Sequence, residues 1–228
     1  MRHMTRLYAL TAAVGLLATS ACGPHYHLNE YTFADHTLAL VVLGTPSPNL
    51  ITGSYDLRSD DVVELAAKVG SKAVKDVEAR RARARLDSAT SHMRLTDSLA
   101  MRALDRASRY LGVRPTRSAA DADYLLEIHM RNYGIDASGS GAASLYTNAE
   151  AVLLDRRTGR EIWNVKVHGT DRLTPRVRGT GDVGGSILAA GSLRTMTVQD
   201  FEQALDQLMS LSANVVADEL RSALRDAR

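Results

Sequence analysis

The residue with the most definite chemistry is Cys22, the single cysteine of the 228-residue chain. It follows small residues at 19–21, which in turn follow a nearly apolar run at 7–17 behind two arginines. This run is well short of the roughly 20 apolar residues that a membrane-spanning helix needs. Residues 1–21 are therefore predicted to be a secretory signal peptide that ends at the cysteine.

The same segment resembles the lipobox of bacterial lipoproteins, with Thr19 where leucine is usual. The resemblance implies that the Cys22 thiol receives a diacylglycerol through a thioether. Several acyl chains make attachment effectively permanent, because each buried methylene contributes roughly 0.8 kcal/mol. By resemblance to enterobacterial sorting, Gly23 implies the periplasm-facing side of the outer membrane. The alternative is ordinary cleavage after Ala21, which leaves a free thiol in an oxidising compartment.

Histidines offer a second kind of chemistry. His25, His27 and His36 lie close together in the sequence, and alternate histidines can chelate Zn or Cu. No cysteine is free, however, and no acidic partner stands at a recognisable ligand spacing. His129 and His168 fall within predicted strands, where a surface or hydrogen-bonded role is the simpler interpretation. No metal or cofactor site is predicted.

Two glycine-containing segments could suggest catalysis. Ser138 and Ser140 lie in residues 137–141, which lack the Gly-x-Ser-x-Gly elbow that exposes a nucleophile. Residues 179–186 are glycine-rich like a phosphate loop, but they have no lysine at the needed place and no preceding β-run. With no catalytic residues assigned, the protein is predicted not to be an enzyme.

The charge balance excludes one class of partner. The chain has 28 Lys and Arg against 26 Asp and Glu. Removing residues 1–21 takes away two arginines and no acid, which leaves 26 against 26 and a formal net charge of zero. Binding to the phosphates of nucleic acid requires clustered basic residues. Nucleic acid is therefore not an expected partner.

The elements that position these residues are predicted in the order strand, two helices, three strands, helix. An apolar run and period-two alternation predict strands at 37–44, 124–133, 144–154 and 161–168, the last two forming a hairpin. Helical spacing predicts helices at about 59–86 and 96–111. Thr197 and Asp200 have the spacing of a capping box and open the closing helix.

The first helix carries two patterns. Apolar residues recur at helical spacing, at Val62, Leu65, Ala66, Val69, Ala73 and Val77, which predicts an amphipathic helix. Four arginines between Arg80 and Arg85 are interpreted as a solvated helix end and not as an anion site. A break follows at 87–91, and Gly112 supplies the stop of the second helix.

These elements predict an α/β fold, an α+β sandwich with a mixed, mostly antiparallel sheet of about four strands packed against three helices. Residues 22–36 are polar and without period, and are predicted to be a lipid-anchored tether. Residues 37–228 suffice for one domain. Within it, residues 174–196 contain five glycines and are predicted to be a flexible loop. Trp163 is expected to fill the core.

The order of elements and three motifs resemble a group of bacterial envelope domains. The group comprises curli-secretion-channel lipoproteins, lipoprotein activators of peptidoglycan synthases and the amino-terminal domain of the Tol-system propeller protein. The motifs are the run ADYLL at 122–126, a turn with Asp155, Thr158 and Gly159, and the hydrophobic pair Ile162 and Trp163. The resemblance implies a small α/β sandwich that binds other envelope proteins. The chain lacks a pair of long alternating segments suited to a membrane pore.

The sequence therefore predicts a lipid-anchored binding or assembly lipoprotein of the cell envelope. It is held in the membrane through Cys22 and binds another envelope protein through its sheet edge or residues 174–196; self-association stays open. One alternative is an auxiliary lipoprotein of a lipid ABC transporter of the envelope. Another alternative is a lipid-anchored hydrolase.

Overall fold

The computed structural model describes residues 27–44, 46–53, 62–139, 142–173 and 181–227. The predicted signal peptide and Cys22 lie outside the described residues. The helices are α1 (Val62–His92), α2 (Leu95–Leu111), α3 (Gly181–Thr195) and α4 (Val198–Asp226). The strands are β1 (Thr37–Leu43), β2 (Asn49–Thr52), β3 (Arg114–Pro115), β4 (Tyr124–Ala137), β5 (Ser144–Asp155) and β6 (Glu161–Arg172).

The six strands form one mixed sheet in the order β3-β1-β4-β5-β6. β4 is its centre: β1 and β2 both pair in parallel with the same edge of β4, β1 along its first half and β2 along its last residues. The two longest pairings, β4 with β5 and β5 with β6, are antiparallel. The predicted α/β class with a mixed, mostly antiparallel sheet is confirmed.

Helices α1, α2 and α4 pack against the sheet. Alternate strand residues point into this layer, so β4 buries Leu126 and Ile128 while Glu127 between them is half-buried. Trp163 is 1% exposed and belongs to the same core, which confirms its predicted place. Among the described residues, no helix has the length and apolar character that crossing a membrane requires.

Three local signals in the sequence produce the predicted turns and caps. Gly112 ends α2 in the left-handed conformation, with φ of 71°, a conformation that costs glycine least. Thr197 and Asp200 form the predicted capping box at the start of α4. Gly159 has φ of 70° in the turn of the β5–β6 hairpin, and the predicted hairpin is confirmed by the antiparallel pairing of these strands.

The predicted break at 87–91 is wrong, because α1 continues to His92. The hydroxyl groups of Ser88, Thr90 and Ser91 donate to carbonyls three or four residues earlier, so these polar residues are satisfied inside the helix. Leu86 and Ala89 are buried in the same stretch. Packing therefore outweighs the weak helix propensity of this segment.

Three further predictions are corrected. The sheet has six strands instead of about four, because the short strands β2 and β3 carry no periodic signal of their own. The described residues contain four α-helices instead of the predicted three. The predicted flexible loop at 174–196 is wrong for most of its length, since 181–195 is the helix α3; residues 174–180 lie outside the described residues. Small residues let α3 pack against α1, which outweighs the low helix propensity of glycine.

The predicted tether also needs correction. Residues 27–36, called here the N-terminal segment, lie against the domain, with a 3-10 helix at Leu28–Glu30. Leu28 and Phe33 are buried, and the Phe33 ring lies 4.9 Å from the ring of Tyr124. The aromatic residues that are scattered in this polar stretch are contacts with the domain. Only the residues before His27 remain available as a tether.

Candidate functional site

The histidines near the N terminus are bound to neighbouring side chains. His27 Nδ1 lies 2.7 Å from Glu30 Oε1, and Arg160 Nη2 lies 3.0 Å from the same nitrogen. His36 Nδ1 lies 3.3 Å from Asp123 Oδ2. His25 lies outside the described residues. Within the described ranges, no group of three or more His, Cys, Asp or Glu side chains is arranged to hold a metal.

The face of the sheet opposite the helices carries the other two histidines. His129 Nε2 lies 3.0 Å from Glu127 Oε2, and His168 Nδ1 lies 2.6 Å from the side-chain oxygen of Asn148. Beside them Arg131 donates to Glu150 at 2.7 Å, which lowers the pKa of Glu150. These partners agree with the interpretation of both histidines as hydrogen-bonded surface residues.

The candidate serine nucleophile has a structural partner. The Ser138 hydroxyl donates to Asp136 Oδ1 at 2.5 Å, and the Ser138 N–H donates to the same oxygen at 2.8 Å. This is an Asx turn at the end of β4. Ser140 lies outside the described residues, and the glycine-rich stretch from Gly181 onward is helical in α3. The residues considered for catalysis therefore serve turns and helices wherever the structure describes them.

The exposed apolar side chains are concentrated on two helices that pack together. Ten large apolar residues are exposed in the described part of the chain, and six of them lie on α1 and α3. We call these six the α1–α3 surface: Val62, Val63, Val74, Val77, Ile187 and Leu188. The two helices pack against each other. A group of exposed apolar residues on neighbouring helices is more characteristic of an interaction site than single exposed apolar residues, which are ordinary.

In the part of α1 that carries Val74 and Val77, the usual burial pattern of an amphipathic helix is reversed. Val74 is 55% exposed and Val77 is 43% exposed, while Lys75 between them is 1% exposed. Asp76 and Glu78 are also buried. A helix that only covers a core would bury the valines and expose the charges, because burying a charge costs free energy unless it is bonded.

Bonds compensate two of the buried charges of α1, those of Lys75 and Glu78. Lys75 Nζ donates to the carbonyl oxygen of Gly139 at 2.7 Å, which ties α1 to the end of β4. Glu78 Oε1 accepts from Arg81 Nη1 at 2.7 Å. The reversed pattern is therefore held by specific contacts, and it leaves the valines facing outward.

The helix α3 is fixed on α1 through its opposite side. Ser186, Ala189, Ala190 and Leu193 are buried. Arg85 of α1 donates to the carbonyl oxygens of Leu193 at 2.7 Å and Arg194 at 3.0 Å, at the end of α3 where the helix dipole favours a cation. Ile187 and Leu188 are thereby presented on a positioned helix.

Two of the arginines at 80–85 therefore have roles beyond the predicted one, which was a solvated helix end. Arg85 caps α3, and Arg83 Nε donates to the carbonyl oxygen of Pro48 at 2.9 Å. These roles were not predicted from the sequence, since the carbonyls lie far away along the chain. The apolar stripe of α1 was predicted, and its residues Val62, Ala66, Ala73 and Val77 are exposed. Periodicity shows such a stripe but does not say whether a core or a partner covers it.

A second feature joins the N-terminal segment to the β5–β6 hairpin. The His27 N–H donates to the carbonyl oxygen of Ile162 at 3.0 Å, and Arg160 Nη1 donates to Glu30 Oε2 at 2.8 Å. The hydrogen bonds from His27 and then Arg160 lower the pKa of Glu30, and Glu30 raises the pKa of Arg160. The Tyr124 hydroxyl donates to the carbonyl oxygen of Thr32 at 3.1 Å.

No protein-family model matches the sequence, and no curated protein is significantly similar to it. The solved structures that match the chain are only weakly similar to it. A DUF330 protein from Xanthomonas campestris is 16% identical, with a TM-score of 0.41 over 86% of this chain and 89% of that one. Lipoprotein GNA1162 from Neisseria meningitidis is 13% identical, with a TM-score of 0.28 over 63% and 88%.

A dodecameric PelC from Paraburkholderia phytofirmans is 10% identical, with a TM-score of 0.32 over 80% of this chain and 92% of that one. Similarity at this level assigns neither a family nor an activity to the chain. The resemblance to the curli, peptidoglycan-synthase-activator and Tol group stays a prediction, as does self-association.

Proposed function

We propose that this protein is a lipid-anchored lipoprotein of the bacterial envelope that binds another envelope protein through the α1–α3 surface. The observation that carries the proposal is the reversed pattern of α1, with valines outward and charges inward. Residues 181–195, which form the helix α3, remain part of the predicted interface. The proposal gives the protein a binding role without catalysis.

The energetics favour a covered state for this surface. Burying a valine, leucine or isoleucine side chain contributes roughly 1.5–3 kcal/mol relative to leaving it exposed. The surrounding residues suit the rim of an interface, because Glu64 and Lys68 form an ion pair at 2.6 Å beside the exposed valines. Protein interfaces typically have an apolar centre and a polar, solvent-accessible rim.

The anchor completes the proposal. Cys22, acylated after signal-peptide cleavage, would hold the domain on the outer membrane with the domain in the periplasm. Gly23 supports this destination by the sorting resemblance. The lipid attachment makes the partner another protein within reach of that membrane.

Site-specific photo-crosslinking in cells tests the interface. A photo-reactive residue at Ile187 or Val77 of the full-length lipoprotein should give the same discrete adduct. The matched control is Met101 on α2, which is 66% exposed and equally apolar but lies outside the α1–α3 surface. Adducts of equal yield at Met101 would show that the contact is not specific to the α1–α3 surface. No adduct at Ile187 and Val77 would show that this surface is not an interface.

A variant separates binding from folding. The double variant Val77→Ser with Ile187→Ser should no longer capture the partner that cross-links to the wild-type protein. Its thermal melting should be unchanged, because both side chains are exposed. Met101→Ser is the control and should retain capture. Retained capture by the double variant contradicts the proposal.

A further inference from the structure

The β5–β6 turn lies next to the point where the chain leaves the domain toward its anchor. Residues 156–160, called here the arginine turn, are all exposed. They include Arg156, Arg157 and Arg160. Arg160 contacts both His27 and Glu30 at the start of the N-terminal segment. The turn and the exit of the tether are therefore fixed relative to each other.

The length of the remaining tether limits how far this turn can lie from the membrane. Five residue steps separate Cys22 from His27, and each spans at most about 3.6 Å, so the full reach is about 18 Å. A short linker of this kind gives the linked group an effective concentration in the millimolar range at the surface that holds its anchor. Weak attraction between the turn and that surface is then sufficient for frequent contact.

Two of the three arginines of the turn, Arg156 and Arg157, have charges available for such contact. Among the described ion pairs, none uses the guanidinium groups of Arg156 or Arg157. The nearby acids are already engaged. Asp155 is buried and accepts from the N–H groups of Arg157 at 2.9 Å and Thr158 at 3.3 Å. Glu30 is bonded to Arg160.

The space beside the turn also fits a headgroup. A cleft of about 680 Å³ separates the N-terminal segment from the arginine turn, and Arg156, Arg157 and His36 line it. Glu30, Asp123 and Asp155 also line it, but their carboxylates accept hydrogen bonds from Arg160, from Thr37 and from the turn itself, respectively. Arginine is suited to phosphate, because its planar guanidinium can donate two parallel hydrogen bonds.

We propose that the arginine turn binds the phosphate groups of anionic phospholipids in the membrane that holds the anchor. This inference rests on the proposed lipidation of Cys22. The contact orients the domain with the N-terminal segment toward the bilayer. The Gly139 end of β4, to which α1 is tied through Lys75, is then turned away from the bilayer, and this orientation favours access of a partner to the α1–α3 surface.

The test uses the full-length lipoprotein in vesicles and energy transfer to a headgroup-labelled lipid. A donor dye is attached at Thr158→Cys in the turn or, separately, at Ser138→Cys at the other end of β4. Transfer from the turn should increase when phosphatidylglycerol is added to phosphatidylcholine, and the increase should disappear in high salt, which shortens the screening length to about 3 Å at 1 M. Transfer from position 138 should not increase.

Variants identify the groups responsible. Arg156→Gln with Arg157→Gln should abolish the lipid-dependent increase, since each arginine near an anionic surface strengthens binding roughly fivefold. Arg80→Gln with Arg94→Gln removes the same charge from exposed positions elsewhere and should retain the increase. An increase that survives in the turn variant, or equal transfer from both dye positions, overturns the inference.

The anchor is read out separately in the same preparation. The wild-type protein should float with neutral phosphatidylcholine vesicles and should not react with a thiol reagent, because its only cysteine is then in a thioether. A reactive thiol and no flotation overturn the proposed lipidation, and the headgroup contact with it. Flotation without a lipid-dependent increase overturns the headgroup contact alone.

Discussion

Asp123 and Thr37 join the starts of two parallel strands through reciprocal hydrogen bonds. Asp123 Oδ2 accepts from the N–H and from the hydroxyl of Thr37, each at 2.8 Å. The Asp123 N–H lies 3.0 Å from Thr37 Oγ1 and 3.2 Å from the Thr37 carbonyl oxygen. The residues that follow, Leu38 and Tyr124, are the first pair in the β1–β4 ladder. This pair of residues therefore fixes the register of β1 on the central strand.

We predict that Asp123→Asn destabilises the domain in a pH-dependent way. The hydrogen bond from the Thr37 N–H, followed by that from its hydroxyl, lowers the pKa of Asp123 below its usual 3.8. A carboxyl group with a lowered folded-state pKa contributes stability that is present above its unfolded pKa and is lost as the pH falls through the folded value. The denaturant midpoints should therefore differ at pH 7 and converge below pH 3.8.

Asp121→Asn is the matched control for this prediction. It removes a nearby carboxylate that forms no side-chain hydrogen bond within the described part of the chain, so its midpoint should follow that of the wild type. A difference for Asp123→Asn that stays constant from pH 7 to pH 3 would show that the charge of Asp123 contributes nothing to the strand register.

The antiparallel half of the fold could be predicted from the sequence because its signals are local. Alternation from Glu161 onward, the turn at Gly159 and the capping box at Thr197 each involve residues within a few positions of one another. The ADYLL motif at 122–126 also predicted a strand correctly. Its aspartate has a further role, the contact with Thr37, which lies 86 residues away and leaves no local pattern.

The interface candidate could be predicted only in part. The sequence singled out residues 174–196 for a binding role but not their helical structure, since glycine disfavours a helix and the compensating contact with α1 is distant. The valines of α1 produced a correct helix prediction. The position of Lys75 inside the protein was not predictable, because its partner at Gly139 lies 64 residues further along the chain, beyond α2, β3 and β4.

We predict that Trp163→Ala costs about 3–5 kcal/mol of unfolding free energy, the usual effect of truncating a large core aromatic residue. Trp163 is 1% exposed and lies in the main core. Circular dichroism in denaturant is the appropriate measurement, since the variant lacks the only tryptophan of the chain. Trp163→Phe should lose less unfolding free energy than Trp163→Ala. Equal midpoints for the wild type and Trp163→Ala would show that the indole does not contribute to the core.

Glycine substitutions should have opposite effects in α3 and β6. Gly191 lies inside α3, and a Cβ there meets no atom within 4 Å, so Gly191→Ala should stabilise the protein by about 0.5–1 kcal/mol.

At Gly169 a Cβ would lie 2.8 Å from Ser212 Oγ and 3.0 Å from Thr147 Cγ2, so Gly169→Ala should lower the melting temperature. A destabilising Gly191→Ala would contradict the helical structure of α3.

We predict that Cys22→Ser abolishes lipidation, because serine offers a hydroxyl where the thioether requires a thiol. Metabolic labelling with a palmitate analogue should mark the wild-type protein and not the variant, which should accumulate as uncleaved precursor or as a mis-sorted soluble form. Ser20→Ala, a change to another small residue before the cleavage site, is the control and should remain labelled. Label retained by Cys22→Ser would show that the acyl chains are attached to another residue. The short tether between Cys22 and His27 would then not determine the orientation of the domain.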